Sequence, residues 1–229
     1  MAYILHIETT STVCSVAISS NDELLGIKEI NEGYAHAENL HVFIQQILIE
    51  VKVSINELNA ISISKGPGSY TGLRIGYSTA KGLCYALNIP LIAINTLKAL
   101  TSNVISQLDA NADLVFCPMV DARRMEVYSA IYSPTLNELE ATNAIILSED
   151  TITEIIKKYP TLCIFGDGMP KAKALIESLG LKAQYIENIN PSANALIILS
   201  YEKYLKQEFE DIAYAEPFYL KEFFFAQKK

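Results

Sequence analysis

The stretch from Lys65 to Gly76 carries the strongest chemical signal in the sequence, and it reads Lys-Gly-Pro-Gly-Ser-Tyr-Thr-Gly-Leu-Arg-Ile-Gly. Glycine permits positive φ angles and the close approach of another backbone, whereas Pro67 fixes one φ angle and removes one N–H donor. Ser69 or Thr71 can cap a helix that begins near Gly72, and the free N–H groups at such a helix start suit an anion. The stretch is thus either a structural turn or a phosphate-binding loop.

The two common nucleotide-binding motifs do not match this turn. A P-loop requires Gly-x-x-x-x-Gly-Lys-Ser/Thr, which the sequence lacks, and a dinucleotide fingerprint would need glycine at Thr71, whereas the glycine comes one residue later. Any anion bound here would be held by a different arrangement. The candidate residues of this glycine turn are Gly66, Pro67, Gly68, Ser69, Thr71, Gly72 and Arg74.

The histidines and cysteines do not form a metal-binding pattern, and no metal site is expected. His36 and His41 are five residues apart at the start of a predicted helix, which points their rings about 140° apart, whereas a helical metal pair needs a spacing of three or four. His6 lies in an alternating strand and is predicted to be a buried or edge imidazole. The cysteines lie far apart without Cys-x-x-Cys spacing and are predicted to be reduced core residues: Cys14, Cys84, Cys117 and Cys163.

Strands and helices alternate around the glycine turn, which is typical of sheets covered by helices. Apolar periodicity predicts strands at 3–7, 13–18, 24–30, 60–64 and 91–94 and helices at 40–51 and 72–87, with a capping box from Ser54 to Glu57. In the second half it predicts strands at 114–120, 126–132 and 162–165 and helices at 151–158, 171–178 and 193–206. The apolar cluster from Phe223 to Phe225 is predicted to be a docked chain end.

Composition indicates a folded, cytoplasmic protein. The 229 residues are 50% apolar and 19% charged, which argues against disorder. The net charge of −8 argues against this chain being the main grip on a nucleic acid, because phosphate binding depends on clustered lysine and arginine. No apolar run approaches the length of a membrane helix, and the first residues do not have the pattern of a secretion signal.

Four blocks of sequence resemble the TsaB (YeaZ) family, whose members are subunits of the bacterial machinery that makes threonylcarbamoyladenosine in tRNA. The glycine turn resembles the family signature, residues 4–18 resemble its opening hairpin, and residues 121–128 and 215–221 resemble its two later blocks. Glu8 departs from the pattern, since many members carry Asp there. A role for this carboxylate in holding a metal–nucleotide is therefore not carried over.

The resemblance implies an actin-like (ASKHA, ribonuclease H-like) α/β fold of two related lobes. The N-terminal lobe is expected at residues 1–105 and the C-terminal lobe at 106–207, with residues 208–229 packing back on the first lobe. The family is paralogous to TsaD, the catalytic subunit, which carries a His-x-x-x-His pair after the strand that follows the glycine-turn helix. At the aligned position this sequence has Thr96 and Leu100, which cannot bind a metal.

The actin-like fold also implies a second phosphate turn, at Asp121-Ala-Arg-Arg124. Such a turn normally has glycines after the Asp, and the side chains of Ala122 and Arg123 would block close backbone approach. Arg123 and Arg124 are therefore predicted to bind a phosphate, to bind an acidic partner or to form a surface salt bridge. The glycines at 166 and 168 are a weak signal of a former nucleotide-binding turn.

The predicted helix at 72–87 is apolar on two sides, so it is either fully buried or contacts a second chain. One apolar stripe consists of Leu73, Tyr77, Ala80 and Cys84, and the second of Ile75, Thr79, Gly82 and Ala86. Members of the TsaB family pair with TsaD, and with themselves, through the equivalent helices. The resemblance therefore implies a partner-binding set that consists of Leu40, Ile44, Ile47, Ile75, Thr79, Gly82 and Ala86.

The function that the resemblance implies is that of a non-catalytic scaffolding and activating subunit. Its partners would be a TsaD-type catalytic subunit and a TsaE-type ATPase, with a homodimer when alone, tRNA reached only through the complex, and no membrane. No cofactor is expected, although ATP or ADP at the subunit interface stays open. The alternatives are an actin-like small-molecule kinase, a glycoprotease-like metallopeptidase and a nucleotide-sensing module that uses the glycine turn.

Overall fold

The structure is a computed structural model that describes residues 1–33, 35–108 and 114–221. Its strands are β1 (Tyr3–Glu8), β2 (Cys14–Ser20), β3 (Glu23–Ile30), β4 (Leu58–Gly66), β5 (Leu91–Asn95), β6 (Val115–Asp121), β7 (Glu126–Tyr132), β8 (Glu138–Ile146), β9 (Leu162–Phe165) and β10 (Gln184–Ile186). Its α-helices are α1 (His36–Val51), α2 (Tyr70–Leu87), α3 (Thr96–Gln107), α4 (Glu149–Lys158), α5 (Met169–Ser178) and α6 (Ile197–Leu205). Short 3₁₀ helices form at Ile55–Glu57 and Ala193–Leu196.

The strands form two five-stranded mixed sheets with the same internal order. The first sheet runs β3-β2-β1-β4-β5, and the second runs β8-β7-β6-β9-β10 when read from its antiparallel edge. In the first sheet β3, β2 and β1 are antiparallel to one another in turn, and β4 and β5 run parallel to β1. In the second sheet β8, β7 and β6 are antiparallel in turn, and β9 and β10 run parallel to β6. The chain therefore contains the same supersecondary unit twice.

Helices cover both faces of the two sheets. Alternate residues of β1 point to opposite faces, so Leu5 packs in a core with α1 and α2, whereas Ile4 packs in a core with α3 and α6. In the second sheet α4 and α5 cover one face, and Leu97 and Leu100 of α3 pack in the core on the other. The order of layers is thus α1/α2, first sheet, α3/α6, second sheet and α4/α5.

The elements that periodicity predicted are present, with bounds that differ by a few residues, and the capping box at Ser54 and Glu57 forms. Three elements were not predicted: α3, β8 and β10. α3 is rich in Ser, Thr and Asn, which are weak helix formers, yet it is buried between the two sheets and capped by the Asn95 side chain. β8 contains Glu, Asn and Ala, and its pairing with β7 outweighs its weak strand propensity.

The chain changes from the first sheet to the second between β5 and β6, and a lobe boundary at residue 105 stays a prediction. After α6 the chain returns to the first sheet, where the Glu210 amide donates to the Leu91 carbonyl and the Phe218 amide donates to the Lys65 carbonyl. Residues 222–229, including the apolar cluster from Phe223 to Phe225, lie outside the described residues. None of the described helices is long and apolar enough to cross a membrane.

Three residues that were expected to bind a partner lie inside the core instead. Leu40, Ile44 and Ile47 are at most 5% exposed and pack against the first sheet and α2. The periodicity that identified the helix correctly also identified its buried face. Leu40 and Ile47 have no exposed surface, and Ile44 keeps 5% of its surface exposed.

Leu40→Ala should therefore destabilise the isolated chain. We expect the free energy of unfolding to fall by about 2–5 kcal/mol, because a fully buried side chain leaves a cavity. Val42→Ala, two residues away on the exposed side, should change it by less than about 0.5 kcal/mol. Urea denaturation measures both. Equal effects of the two substitutions would contradict the assigned burial.

Candidate functional site

The glycine turn packs directly on the turn between β1 and β2. The Ser69 amide donates a hydrogen bond to the Thr10 carbonyl at 2.6 Å, and the Thr9 hydroxyl donates to the Gly72 carbonyl at 2.8 Å. Thr9, Thr10 and Ser11 are buried as a result. The first hairpin turn is thus covered by the start of α2.

Three glycines pack tightly against Thr9 and Thr10, two of them against backbone carbonyls and one against a side chain. A Cβ added to Gly68 would lie 2.4 Å from the Thr10 carbonyl oxygen, and one added to Gly72 would lie 1.9 Å from the Thr9 carbonyl oxygen. A Cβ added to Gly76 would lie 2.4 Å from the Thr9 hydroxyl. These distances are shorter than any van der Waals contact, so the glycines serve close packing. Gly76 was not among the candidate residues, although its spacing of four from Gly72 puts both on one helical face.

The remaining residues of the turn stiffen it or point outwards. Ser69 is the N-cap of α2 and accepts from the Gly72 amide at 3.3 Å, so the helix begins at Tyr70, two residues earlier than expected. Thr71, the other capping candidate, is an exposed residue of the first helical turn. The Arg74 guanidinium lies 4.4 Å from the centre of the Tyr70 ring. Gly66 has a φ angle of 105° and precedes Pro67 through a cis peptide bond.

Glu8 ends β1 directly beneath this contact and is almost completely buried. Its carboxylate accepts from the Thr10 amide at 2.6 Å. Burial raises the pKa of the Glu8 carboxyl, hydrogen bonds from Ser64 and Thr10 oppose the shift, and the negative charge of Asp167 adds to it. The carboxylate is therefore costly to keep ionised, and its hydrogen bond with the Thr10 amide ties it to the chain's own turn.

The second hairpin turn, between β6 and β7, begins beside Asp167. The Asp167 carboxylate accepts from the Asp121 amide at 3.0 Å, and Lys171 bonds to the Asp121 carboxylate at 2.8 Å. Burial raises the pKa of Asp167, and the Asp121 amide opposes the shift. Gly166 and Gly168 pack against the backbone of β6, so these glycines also serve close packing.

The positions aligned with the TsaD histidine pair are buried at the start of α3. Thr96 is 1% exposed, and its hydroxyl lies 3.0 Å from the Ser64 hydroxyl, whereas Leu100 belongs to the core on the second sheet. Within the described ranges, no group of three or more His, Cys, Asp or Glu side chains is placed to hold a metal ion.

The other two sequence candidates lie on opposite sides of α1. His36 is buried, and its Nε2 donates to the Ser11 carbonyl at 2.9 Å, whereas His41 is exposed. Burial lowers the pKa of His36, and the bond to Ser11 opposes the shift. His6 is buried beside the Ser19 hydroxyl, and burial lowers its pKa to about 3.

The cysteines were correctly predicted to be free core residues. All four are buried and unpaired by disulfides. Burial raises the thiol pKa to about 11 for Cys14 and Cys163 and to about 12 for Cys84 and Cys117. A neutral thiol is a weak nucleophile, so these side chains act as small apolar groups.

An apolar surface lies across the outer sides of α1 and α2. A groove is lined by residues of α1, by Ile55 of the 3₁₀ helix and by Leu83 of α2. Tyr85 is 84% exposed and Ile49 is 70% exposed. The groove residues His41, Gln45, Leu48, Ile49, Ile55 and Leu83, together with the exposed residues Val42, Gly82, Tyr85 and Ala86 of the same two helices, are called the helix-pair face.

The helix-pair face contains two of the seven residues that were expected to bind a partner, Gly82 and Ala86, both exposed. Thr79 is buried, and Ile75 packs against the core of the first sheet. Tyr85 was missed, because an aromatic residue next to a small-residue stripe does not stand out in a periodicity analysis.

The duplicated sheet order, with a hairpin opening each of the two sheets, is that of an actin-like (ASKHA) fold. A solved structure of the "Activator of the 2-Hydroxyisocaproyl-CoA Dehydratase from Clostridium difficile with bound ADPNP" has a TM-score of 0.53 and 8% identity, over 91% of this chain and 98% of that one. At this identity the likeness shows the fold alone. The expected fold class is confirmed.

Comparison with known proteins gives the family. A model described as "TsaD: tRNA N6-adenosine threonylcarbamoyltransferase" matches residues 31–222. The "tRNA threonylcarbamoyladenosine biosynthesis protein TsaB" of Escherichia coli K12 is 27% identical to this chain, and the match covers 95% of this chain and 94% of that protein. The TsaB of Buchnera aphidicola subsp. Schizaphis graminum is 30% identical over 85% of this chain and 90% of its own.

A solved structure of YeaZ from Pseudomonas aeruginosa has a TM-score of 0.77 and 24% identity, over 96% of this chain and all of that one. The chain belongs to the TsaD family of threonylcarbamoyladenosine proteins, and within it to the TsaB (YeaZ) branch. The resemblance read from the glycine turn is confirmed.

The contact between the two turns predicts opposite effects of alanine at two glycines of α2. Gly72→Ala should lower the free energy of unfolding by about 3 kcal/mol or more, because the added methyl group overlaps the Thr9 carbonyl. Gly82→Ala should raise it by about 0.5–1 kcal/mol, because no atom lies within 4 Å and alanine favours the helix. Chemical denaturation tests both. A neutral Gly72→Ala would show that the contact does not hold the turn.

Glu8→Gln should change how stability depends on pH. Because the folded-state pKa of Glu8 is raised, the folded chain binds more protons than the unfolded chain at pH values between the unfolded-state pKa and the folded-state pKa. The wild type should therefore lose stability relative to Glu8→Gln as pH rises from about 4.5 through the folded-state pKa. Urea denaturation between pH 5 and pH 8 measures the difference, and Glu154→Gln controls for the loss of an exposed carboxylate. A difference that is constant with pH would contradict the assignment.

Proposed function

We propose that the chain is a non-catalytic scaffolding and activating subunit of a cytoplasmic tRNA threonylcarbamoyltransferase complex. The observation that carries the proposal is the helix-pair face, on a chain whose relatives are named for threonylcarbamoyladenosine biosynthesis. A large apolar surface that its own chain leaves open is typical of an interaction site. The partner is a TsaD-type catalytic subunit, and a TsaE-type ATPase completes the complex.

The chemistry of the helix-pair face suits two packed helices. Gly82 and Ala86 are exposed and small, so the backbone of another helix can approach closely. Tyr85 supplies the large aromatic anchor that commonly dominates the binding energy of an interface. A TsaD-type chain of the same family would present its equivalent helices, and a second copy of this chain would do so in the homodimer that we expect when the chain is alone.

Three features support a role without catalysis in this chain. The positions of the TsaD histidine pair carry Thr96 and Leu100, which are buried. The β1–β2 turn is covered by the start of α2, and the β6–β7 turn carries side chains where close backbone approach to a phosphate would need glycine. The TsaD-type subunit would therefore carry out the transfer on tRNA, which the present chain reaches through the complex.

Activation without a catalytic side chain is a population shift. A partner that binds the active conformation of the TsaD-type subunit more tightly than the inactive one raises the active population by the ratio of the two affinities.

The test is reconstitution with the cognate TsaD-type and TsaE-type subunits, tRNA, ATP and threonylcarbamoyl-adenylate. We expect no threonylcarbamoyladenosine from this chain alone, and its formation only when all three proteins are present, as measured by mass spectrometry of digested tRNA. Ala86→Glu should abolish the activation and weaken association at least tenfold, because an unpaired carboxylate would be buried in the interface.

Ala174→Glu is the matched control, since it adds the same charge to an exposed alanine of α5. It should activate like the wild type. Modification by the TsaD-type and TsaE-type subunits without this chain would refute the activating role. Ala86→Glu with native circular dichroism and unchanged association would show that the partner binds elsewhere.

A further inference from the structure

The turn between β6 and β7 presents two adjacent arginines in an unusual backbone conformation. Arg123 has a φ angle of 67° and Arg124 a φ angle of 45°, and both side chains are exposed. The left-handed region is unfavourable for residues with a Cβ, and glycine or asparagine is the usual choice there. Strain of this kind at an exposed turn indicates that the side chains themselves are needed.

Neither guanidinium group is engaged by the described part of the chain. The five ion pairs among residues 1–33, 35–108 and 114–221 all use lysine. Arg123 contributes backbone groups: its amide donates to the Asp121 carboxylate at 2.6 Å, and its carbonyl accepts from the Glu126 amide at 3.2 Å. The surface salt bridge that the sequence allowed is therefore not formed within these ranges.

The carboxylates around the turn already have partners. Lys171 pairs with Asp121 at 2.8 Å, and Lys221 pairs with Glu126. Asp167 accepts the Asp121 amide. These contacts leave both guanidinium groups available for an external anion, on a chain whose overall charge is −8.

The Tyr128 phenol lies near Arg123 and Lys221. Burial raises the pKa of Tyr128, the positive charges of Lys221 and Arg123 oppose the shift, and Glu126 adds to it. Two cations therefore act on this side of the turn.

We infer that Arg123 and Arg124 form a phosphate-binding site for the backbone of an RNA. Guanidinium groups bind phosphate oxygens in a bidentate manner, and the Cβ atoms of the turn prevent the backbone contact that a nucleotide-binding turn would use. The turn is exposed and has no enclosing walls in the described chain, so a single phosphate would be held weakly. A polyanion gains from several phosphate contacts at once and is the favoured ligand. The identity of the RNA as tRNA rests on the proposed function, whereas the anion site does not.

The test is tRNA binding by the full chain assembled with its cognate TsaD-type subunit, measured by fluorescence anisotropy over a salt series. Arg123→Ala/Arg124→Ala should weaken binding by about tenfold or more and lower the salt dependence by about two ion equivalents. Lys157→Ala/Lys182→Ala removes the same charge from two exposed lysines that form none of the five ion pairs of the described ranges, and it should change affinity less than about twofold. ATP should show no arginine-dependent binding.

Arg123→Gly and Arg124→Gly give an independent readout of the strained turn. Each should raise the melting temperature by roughly 2–4 °C, because glycine removes the left-handed strain, and each should weaken tRNA binding. A lower melting temperature would show that the arginines stabilise the fold, and would overturn the inference.

Three other results would overturn it as well. They are unchanged tRNA affinity and salt dependence in the double-alanine variant, tight ATP binding that needs the arginines, and loss of assembly with the TsaD-type subunit on size-exclusion chromatography. The last would make the turn a contact for an acidic protein surface. Arginine-dependent tRNA binding without activation of the TsaD-type subunit would support the anion site and refute the proposed function, so the two failures are distinguishable.

Discussion

The contact between the Thr9 carbonyl and Gly72 is the constraint on which the rest of the structure depends. It brings the start of α2 against the β1–β2 turn at a distance that only glycine allows. That contact fixes where α2 begins, and the buried stripe of the helix then fixes its rotation. The exposed stripe, with Gly82, Tyr85 and Ala86, is consequently held in one position on the surface. A partner-binding helix gains affinity when it is preorganised in this way.

The same contact explains why polar groups near the first hairpin turn are tolerated in the core. The Glu8 carboxylate, the Thr9 hydroxyl and His36 each bond to backbone groups of the two turns or of their neighbours. A buried polar group costs free energy unless it is hydrogen-bonded, so these bonds hold the turns in a single arrangement. This chain uses the first turn for internal packing.

The sequence predicted the elements whose apolar residues repeat regularly, and it predicted the fold through the blocks that resemble a known family. It did not predict α3, because the helix is stabilised by burial between the two sheets and not by its own propensity. It placed Leu40 at an interface because periodicity identifies an apolar face without telling core from partner surface. Tyr85 could be found only after α2 was placed, since its exposure depends on the packing of the opposite stripe.

The two hairpin turns of the duplicated unit differ in solvent exposure and in the residues that they carry. The first turn is buried under the glycines of α2, whereas the second is exposed and carries two arginines with positive φ angles. Burial of the first turn stabilises a helix whose outer side is apolar, and exposure of the second maintains a local positive charge on an acidic chain. A chain that had kept both turns for one bound nucleotide would need glycine at Ala122 and Arg123 and open space above Thr9. It has neither: the first turn is packed under the start of α2, and the second presents two exposed arginines.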